Sequence, residues 1–568
     1  MRTRILLVAG LAVLLAACTP SEDPQDQHPP RLPASLSEFF PSPSPPPPPG
    51  DWLSTSCTAP LEHLQRVRRG AFPGRSYDVF FVPRYPNSIG TFDGYTTHGG
   101  PWDYLQRVPL VFAGPGYIRP TGEISVDREV TVADVAPTLA ELLGVEAPND
   151  GPGRVIEEVL VPENLRAEPP RLVVTMVWDG GGSDVLEAWP DSWPRLADLI
   201  ADGSSIRGAT IGSAPSTTPP VHATIGTGVW PSDHGIVDLT QRRGNKVKDS
   251  YINKEEDFDP IQLEVPTLAD VFDPALGNEP QVGLIGYRGW HLGMMSHGSR
   301  TAGGDEDIAA IIDRDGGPLT DAGPWYDLPS YMRDVEGLEA DTRTADLADG
   351  KVDGRWRSVD LDDPVTLQYS PAYTLYQTRL LKTLVTEGGF GGDSVTDLLF
   401  VNYKQIDDVG HFYNMLSPEM EEIVRYTDRA LADVLDLLDR RVGRGNWVLV
   451  LTADHGETPD LRSIRGWPID QEILKQVVAE RFGVEPADLF LQARTMGFWL
   501  DEEFRNDHGI TLEEVADVLI DLRARDMLAE GESVPEMYSD RLDEPLFEAA
   551  FPGDRLDDVW RCAAGRSE

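Results

Sequence analysis

Three short segments pair carboxylates with chemistry-bearing neighbours, and a fourth carries hydroxyls. Asp407 and His411 stand four residues apart in Lys404-Gln405-Ile406-Asp407-Asp408-Val409-Gly410-His411. Asp454 and His455 are adjacent, and Asp179 precedes Gly180-Gly181-Gly182. Each group follows an apolar run of strand length, at 397–403, 447–452 and 171–178. Strand tips of an open parallel sheet share one edge, so these oxygen and imidazole ligands would meet there and hold divalent cations. A lone Asp-His pair is more often a turn or a surface ion pair, but three such tips on one sheet edge are much harder to dismiss. The hydroxyl segment Ser216-Thr217-Thr218-Pro219-Pro220-Val221-His222 runs on through Gly226-Thr227-Gly228 to His234-Gly235. It places a hydroxyl at a helix start, where a metal-activated nucleophile would sit. Taken alone, the same residues also read as a turn with a Ser/Thr cap.

The elements that must position these residues alternate between strands and helices. Strands are predicted at 76–83, 108–113, 171–178, 282–286, 397–403 and 447–452, and helices at 131–143, 193–201, 375–386, 418–442, 471–482 and 512–525. Such alternation predicts an α/β fold with a mainly parallel central sheet flanked by helices. The Gly-rich, charged stretch 298–364 reads as part of an inserted cap spanning about 240–370.

The first residues give an address. Met1-Arg2-Thr3-Arg4 and the apolar run 5–17 form a signal-like leader too short to span a bilayer, and Leu15-Ala16-Ala17-Cys18 resembles a lipobox. The expectation is an exported lipoprotein, lipidated at Cys18, anchored to the cell membrane and facing outside the cytoplasm. Residues 18–50 are rich in Pro and Ser and read as a semi-rigid spacer ahead of a catalytic body at 51–568. Cys57 and Cys562 lie at opposite ends of that body, and a disulfide or two free thiols are both open. The formal charge of −45 argues against nucleic acid as a partner and leaves an anionic substrate dependent on bound cations.

Taken together, the motifs resemble the alkaline phosphatase superfamily, in its type I phosphodiesterase/nucleotide pyrophosphatase and Thr-dependent phosphatase branch. The matching positions are Asp179; Thr218 with Pro220 and His222; Thr227 to Ile236; Asp407 with His411; and Asp454-His455-Gly456. The resemblance implies two divalent ions, zinc first, and a phospho-threonine route with Thr218 as nucleophile. One ion would be held by Asp179, Thr218, Asp454 and His455, the other by Asp407, His411 and one further His. In the family that last His lies far downstream. Here its context, Thr97-His98-Gly99-Gly100-Pro101 followed by Val108 to Gly116, stands upstream of everything else. The expectation is a circular permutation in which residues 51–165 carry the ligand His98. It also gives a Cys57–Cys562 bridge a role, tying the new ends together. His508, in Asn506-Asp507-His508-Gly509, is the competing ligand and reads as a surface or cap position.

The resemblance also has gaps. Leu239 stands where the family has an Asn, and Tyr287 and Gly289 stand where its monoesterases have a Lys-x-Arg pair. Arg288 or His291 would have to substitute in substrate binding. The missing Asn weakens both branches, while the missing cationic pair weakens a dianionic monoester, so the reading leans slightly toward a phosphodiesterase or nucleotide pyrophosphatase acting on a small phosphate ester. A phosphomonoesterase is the second reading, and a non-catalytic phospholigand-binding lipoprotein the third.

Overall fold

The computed structural model describes residues 32–567, apart from 42–45, 48, 92–93, 167, 251–261, 313–323 and 529–533. The leader and the lipidation candidate Cys18 lie outside the described residues. In chain order, the strands that matter are β1 (Val79–Pro83), β2 (Leu110–Ala113), β3 (Gly122–Ile124), β4 (Leu172–Trp178), β5 (Ser204–Ile206), β6 (Val282–Tyr287) and β7 (Asp307–Ile312). They continue with β8 (Tyr326–Asp327), β9 (Asp397–Tyr403), β10 (Trp447–Thr452), β11 (Phe490–Arg494), β12 (Gly497–Leu500) and β13 (Phe547–Pro552).

A nine-stranded sheet runs β8-β7-β6-β9-β4-β10-β2-β5-β3. All its strands point the same way except β2, which pairs antiparallel with both β10 and β5. The helices α1 (Val135–Leu143), α2 (Thr218–Thr227) and α3 (Leu268–Ala275) cover one face; α4 (Ala372–Gly388) and α6 (Pro418–Leu438) cover the other, and α5 (Gln405–Tyr413) caps the end of β9. Alternation along β4 shows this arrangement directly. Val173 and Val177 join the core under α1 to α3, while Leu172, Val174 and Met176 join the core under α4 and α6. With both faces covered, every residue of β4, β9 and β10 is buried, which is why these strands read as unbroken apolar runs. Ser417 starts α6 by accepting from the Met420 amide, with Pro418 in the first turn, and the buried positions then recur at helical spacing.

A second, antiparallel sheet, β11-β12-β1-β13, joins residues from both ends of the chain. The helix Leu556–Ser567 follows it, and Cys562 is disulfide-bonded to Cys57 there.

Two expectations are corrected. The span 240–370 is not a separate cap, since β6, β7 and β8 within it extend the central sheet at its edge. The apolar run of β7 is short and flanked by Gly and Asp, which hid it. Nor is the whole of 18–50 a free spacer: Leu36, Phe39 and Phe40 are buried, and Phe40 packs 4.9 Å from the Tyr104 ring.

Candidate metal centre and active site

Parallel β4, β9 and β10 end on one edge, and backbone bonds lock their exits together. Asp179 N donates to Tyr403 O at 2.9 Å, and Asp407 N donates to Asp179 O at 3.1 Å. The Gly180 amide donates to Asp454 Oδ1 at 3.0 Å. Because β2 runs the opposite way, it is the segment before it that lies at this edge, with Leu110 opposite Thr452. That reversal delivers His98. The nucleophile candidate Thr218 opens α2, which Thr217 precedes in extended conformation and Gly228 ends in the left-handed region (φ 75°). The Ser216 amide reaches Gly99 O at 3.1 Å, which fixes the start of α2 against the His98 loop.

Three imidazoles present the same nitrogen inward. Nδ1 of His98 contacts Ser216 O at 2.8 Å, that of His411 contacts Thr96 O at 2.8 Å, and that of His455 contacts Gly456 O at 3.1 Å. A carbonyl accepts only, so each Nδ1 carries the proton and each Nε2 is left with a lone pair. Those Nε2 atoms converge on Asp407 Oδ1, at 3.3 Å from His98, 3.4 Å from His411 and 3.7 Å from His455. His455 Nε2 is also 3.6 Å from Asp179 Oδ1 and 3.5 Å from Asp454 Oδ2. The inward atoms Asp179 Oδ1, Asp407 Oδ1, Asp454 Oδ2 and His455 Nε2 are buried and meet no hydrogen-bond donor or acceptor. Buried polar atoms of this kind are rarely left without a partner. Lone pairs from both oxygen and imidazole pointing at one space suit divalent cations, zinc among them. Two sets fit: Asp179 with Asp454 and His455, and His98 with Asp407 and His455, with His411 beside the second.

The outer carboxylate oxygens are held by protein. Lys404 Nζ lies 3.0 Å from Asp179 Oδ2 and 2.8 Å from Asp407 Oδ2, and the Asn402 side-chain amide donates to Asp179 Oδ2 at 3.0 Å. Burial alone would lower Lys404, but Asp179, Asp407 and Asp408 hold its pKa well above the usual lysine range. Burial and then Asp454 push Asp179 up, to about 7. For Asp407 the raising effect of burial is overridden by Lys404, His411 and His98, and its pKa falls well below the carboxylate range. Burial depresses His455 far below its ordinary value, with His98 stacked on it at 3.5 Å adding to the effect. Glu457, buried beside them, is pushed well up by burial and then by Asp407. Lys404, Asn402 and Glu457 are residues that sequence reasoning missed. A lysine placed directly after a strand and before the Asp407–His411 pair was the available signal.

The remaining sequence candidates separate clearly. His222 bonds Thr218 O through Nδ1 at 2.9 Å and lies 3.8 Å from Asp454 Oδ2, supporting the loop of the nucleophile. His291 is buried with its ring 4.3 Å from that of His222, so it stands by the centre. Arg288 is turned to Asp408 Oδ1 at 3.1 Å and Gln368 Oε1 at 3.3 Å. His508 ends the helix Glu502–His508 and bonds Phe504 O from the surface, away from the other imidazoles. Next to Leu239, Asp238 accepts from Thr217 Oγ1 at 3.0 Å and from the Tyr77 hydroxyl at 2.5 Å, bracing the turn ahead of Thr218. Tyr95 and Phe412 flank His411 and stay 40% and 52% exposed, giving the mouth an apolar rim.

Residues 173–560, which include Asp179, Thr218, Asp407, His411, Asp454 and His455 and leave out His98, match the family model described as type I phosphodiesterase/nucleotide pyrophosphatase. The chain is 28% identical over 165 residues to the alkaline phosphatase PafA of Elizabethkingia meningoseptica, covering 28% of this chain and 30% of that one. To the alkaline phosphatase PhoV of Synechococcus elongatus it is 24% identical over 331 residues, covering 51% of this chain and 59% of that one. The chain therefore spans less than two thirds of each of these curated relatives. The solved structure of wild-type PafA aligns with a TM-score of 0.49 at 18% identity, covering 68% of this chain and 85% of the other. With its family model matched over more than half its length, and with that model's span holding the strand-tip carboxylates and the Thr218 helix, the chain belongs to the type I phosphodiesterase/nucleotide pyrophosphatase family.

Proposed function

We propose that the protein is a two-metal hydrolase of phosphate esters that uses Thr218 as nucleophile and favours phosphodiesters. The observation that carries this reading is the set of inward Asp and His atoms without partners at the strand tips, beside the start of α2. Asp179, Asp454 and His455 would hold one divalent ion and Asp407, His411 and His98 the other, with His455 close to both. The ions would supply Lewis acidity, lowering the pKa of the Thr218 hydroxyl and offsetting charge on the phosphoryl oxygens. Thr218 Oγ attacks phosphorus, an O–P bond forms, and the bond from phosphorus to the leaving oxygen breaks, the proton lost by the hydroxyl being taken up, through water, by the leaving oxygen. Water then cleaves the phospho-threonine, freeing the phosphate product and restoring the hydroxyl. Asp238 and His222 hold the nucleophile turn, and the buried fold of strand tips and loops keeps bulk water from the ligands.

Charge favours the diester. The Lys-x-Arg positions that serve a dianion in monoesterases hold Tyr287 and Gly289 here, and Arg288 is engaged with Asp408. A phosphodiester carries one negative charge and a second organic group, for which the rim at Tyr95 and Phe412 offers apolar surface. The test compares turnover of a chromogenic phosphodiester, phosphomonoester and sulfate ester by the zinc-loaded protein. Preference for the diester, falling at least about 1,000-fold in Thr218→Ala with metal content unchanged, is the expected result. Preference for the monoester would assign dianion binding to groups such as His291 and sink the diester reading.

We further infer export, a lipid anchor at Cys18, and a circular permutation that moved the His98 segment to the front. The disulfide Cys57–Cys562 is in keeping with an oxidising compartment and with ends joined across a permutation. Labelling with a palmitate analogue, lost in Cys18→Ala, tests the anchor.

A further inference from the structure

A second convergence of carboxylates stands apart from the candidate active site. One oxygen each of Asp273, Asp305 and Asp307 lie within 4.8 Å of one another. Asp307 begins β7, so the group sits at the N-terminal ends of the parallel strands, on the sheet edge opposite Asp179, Asp407 and Asp454. Asp273 belongs to α3, one turn beyond Asp270.

Those two acids on one helix are treated very differently. Asp270 is fully served: its Oδ1 accepts from the His297 amide at 3.0 Å and Thr301 Oγ1 at 2.8 Å, and its Oδ2 from the Thr267 amide at 2.7 Å and His297 Nδ1 at 2.6 Å. Asp273 is just 4% exposed, yet its Oδ1 is closed off from solvent and meets no donor. Burial, and then Asp305 within side-chain hydrogen-bonding reach, push the Asp273 carboxyl up to about 7, and Asp307 in turn faces Asp270, Asp273 and Asp305. Like charges gathered around a buried acceptor without a donor leave that acceptor in need of a cation. The surroundings are already fastened. Ser296 Oγ donates to Asp307, the Asn278 amide donates to Asp273 O at 3.1 Å, and the Asn278 side chain donates to Gly303 O at 3.0 Å. Asp305 is exposed and leaves a path for an ion and its waters.

We propose that Asp273, Asp305 and Asp307 form a structural calcium site that ties α3 and the 301–306 loop to the start of β7. The donors are all oxygen, with neither imidazole nor thiolate, which selects a hard cation over zinc. Ligand distances of about 2.3–2.6 Å let calcium bridge oxygens up to about 5 Å apart, whereas magnesium at about 2.1 Å needs a tighter set. Three carboxylates with water completing the shell give an affinity on the order of 10⁻⁴–10⁻³ M, the range of extracellular calcium modules. The proposal is independent of the catalytic reading, because its ligands lie on the other edge of the sheet.

Isothermal titration of calcium chloride into the zinc-reloaded protein tests it. The expected result is one calcium bound, at least tenfold tighter than magnesium, with a rise in Tm on calcium addition. Asp305→Asn, a change at an exposed side chain, weakens binding at least tenfold and removes the Tm response, and Asp273→Asn does the same. Asp407→Asn leaves calcium binding intact. No calcium bound by the wild type, as a proton shared between Asp273 and Asp305 would give, overturns the proposal. So does binding that survives Asp305→Asn or is lost in Asp407→Asn. If Asp273→Asn does not fold, Asp305→Asn decides alone.

Discussion

The two oxygens of Asp407 do different work: Oδ1 faces the three imidazole Nε2 atoms, while Oδ2 takes Lys404. Lys404 makes the same outer contact with Asp179, so one ammonium aims both carboxylates inward. Partners that orient metal ligands typically cost about 10–100-fold in affinity or activity when removed. Lys404→Met is therefore expected to lower zinc retention on dialysis, read by metal content, and turnover by that factor. It is also expected to lower Tm more in metal-stripped than in zinc-loaded protein, since bound cations offset the carboxylates that lose their lysine. Sequence showed Asp179, Asp407, His411, Asp454 and His455 because each follows a strand and brings a ligand chemistry with it. The work of Lys404 was not legible there, because it depends on which oxygen of each carboxylate the ammonium meets.

At the scale of elements, the turns after the strands interlock so closely that side chains are excluded. Gly180 is in the left-handed region (φ 73°), and a Cβ there would stand 2.8 Å from Asp407 Cα and 2.9 Å from Asp407 N. Gly180→Ala is thus expected to push the start of α5 away from β4, cutting turnover at least about 100-fold, a displacement of about 1 Å being enough for that loss. Circular dichroism should show the helices retained. At the opposite end of β9, burial raises Asp397 to about 6, although it accepts from the Gly391 and Gln281 amides. A carboxyl whose folded pKa exceeds its unfolded value of about 3.9 stabilises fully below pH 4 and loses that contribution as pH rises through 6. Urea midpoints between pH 4 and 7 should fall less steeply in Asp397→Asn than in the wild type. The sheet strands were legible where both faces are covered, as in β4. The pairing of β7 and β8 with the sheet was not, because short runs among Gly and Asp carry no period of their own.

For the whole molecule, the Cys57–Cys562 bridge joins the two ends of the described body. Removing such a link releases chain entropy in the unfolded state and costs about 2–5 kcal/mol. Cys562→Ser is expected to lower the urea midpoint accordingly, with turnover at 25 °C unchanged, and reducing agent should shift the wild type but not the variant. The place of His98 ahead of the other candidate ligands could be read from the sequence. The reversed direction of β2 that brings His98 to the right edge could not, since strand polarity is decided by partners distant along the chain. That reversal has a consequence in time. During synthesis β2 is made early, but the strand on one side of it, β10, is among the last parts of the sheet to appear. Until then β2 can pair only with β5 and lacks its neighbour on the side of the centre, so a nascent or truncated chain ending before Trp447 should bind metal poorly and be open to proteases. The finished protein should gain metal binding and resistance together, in a single late step.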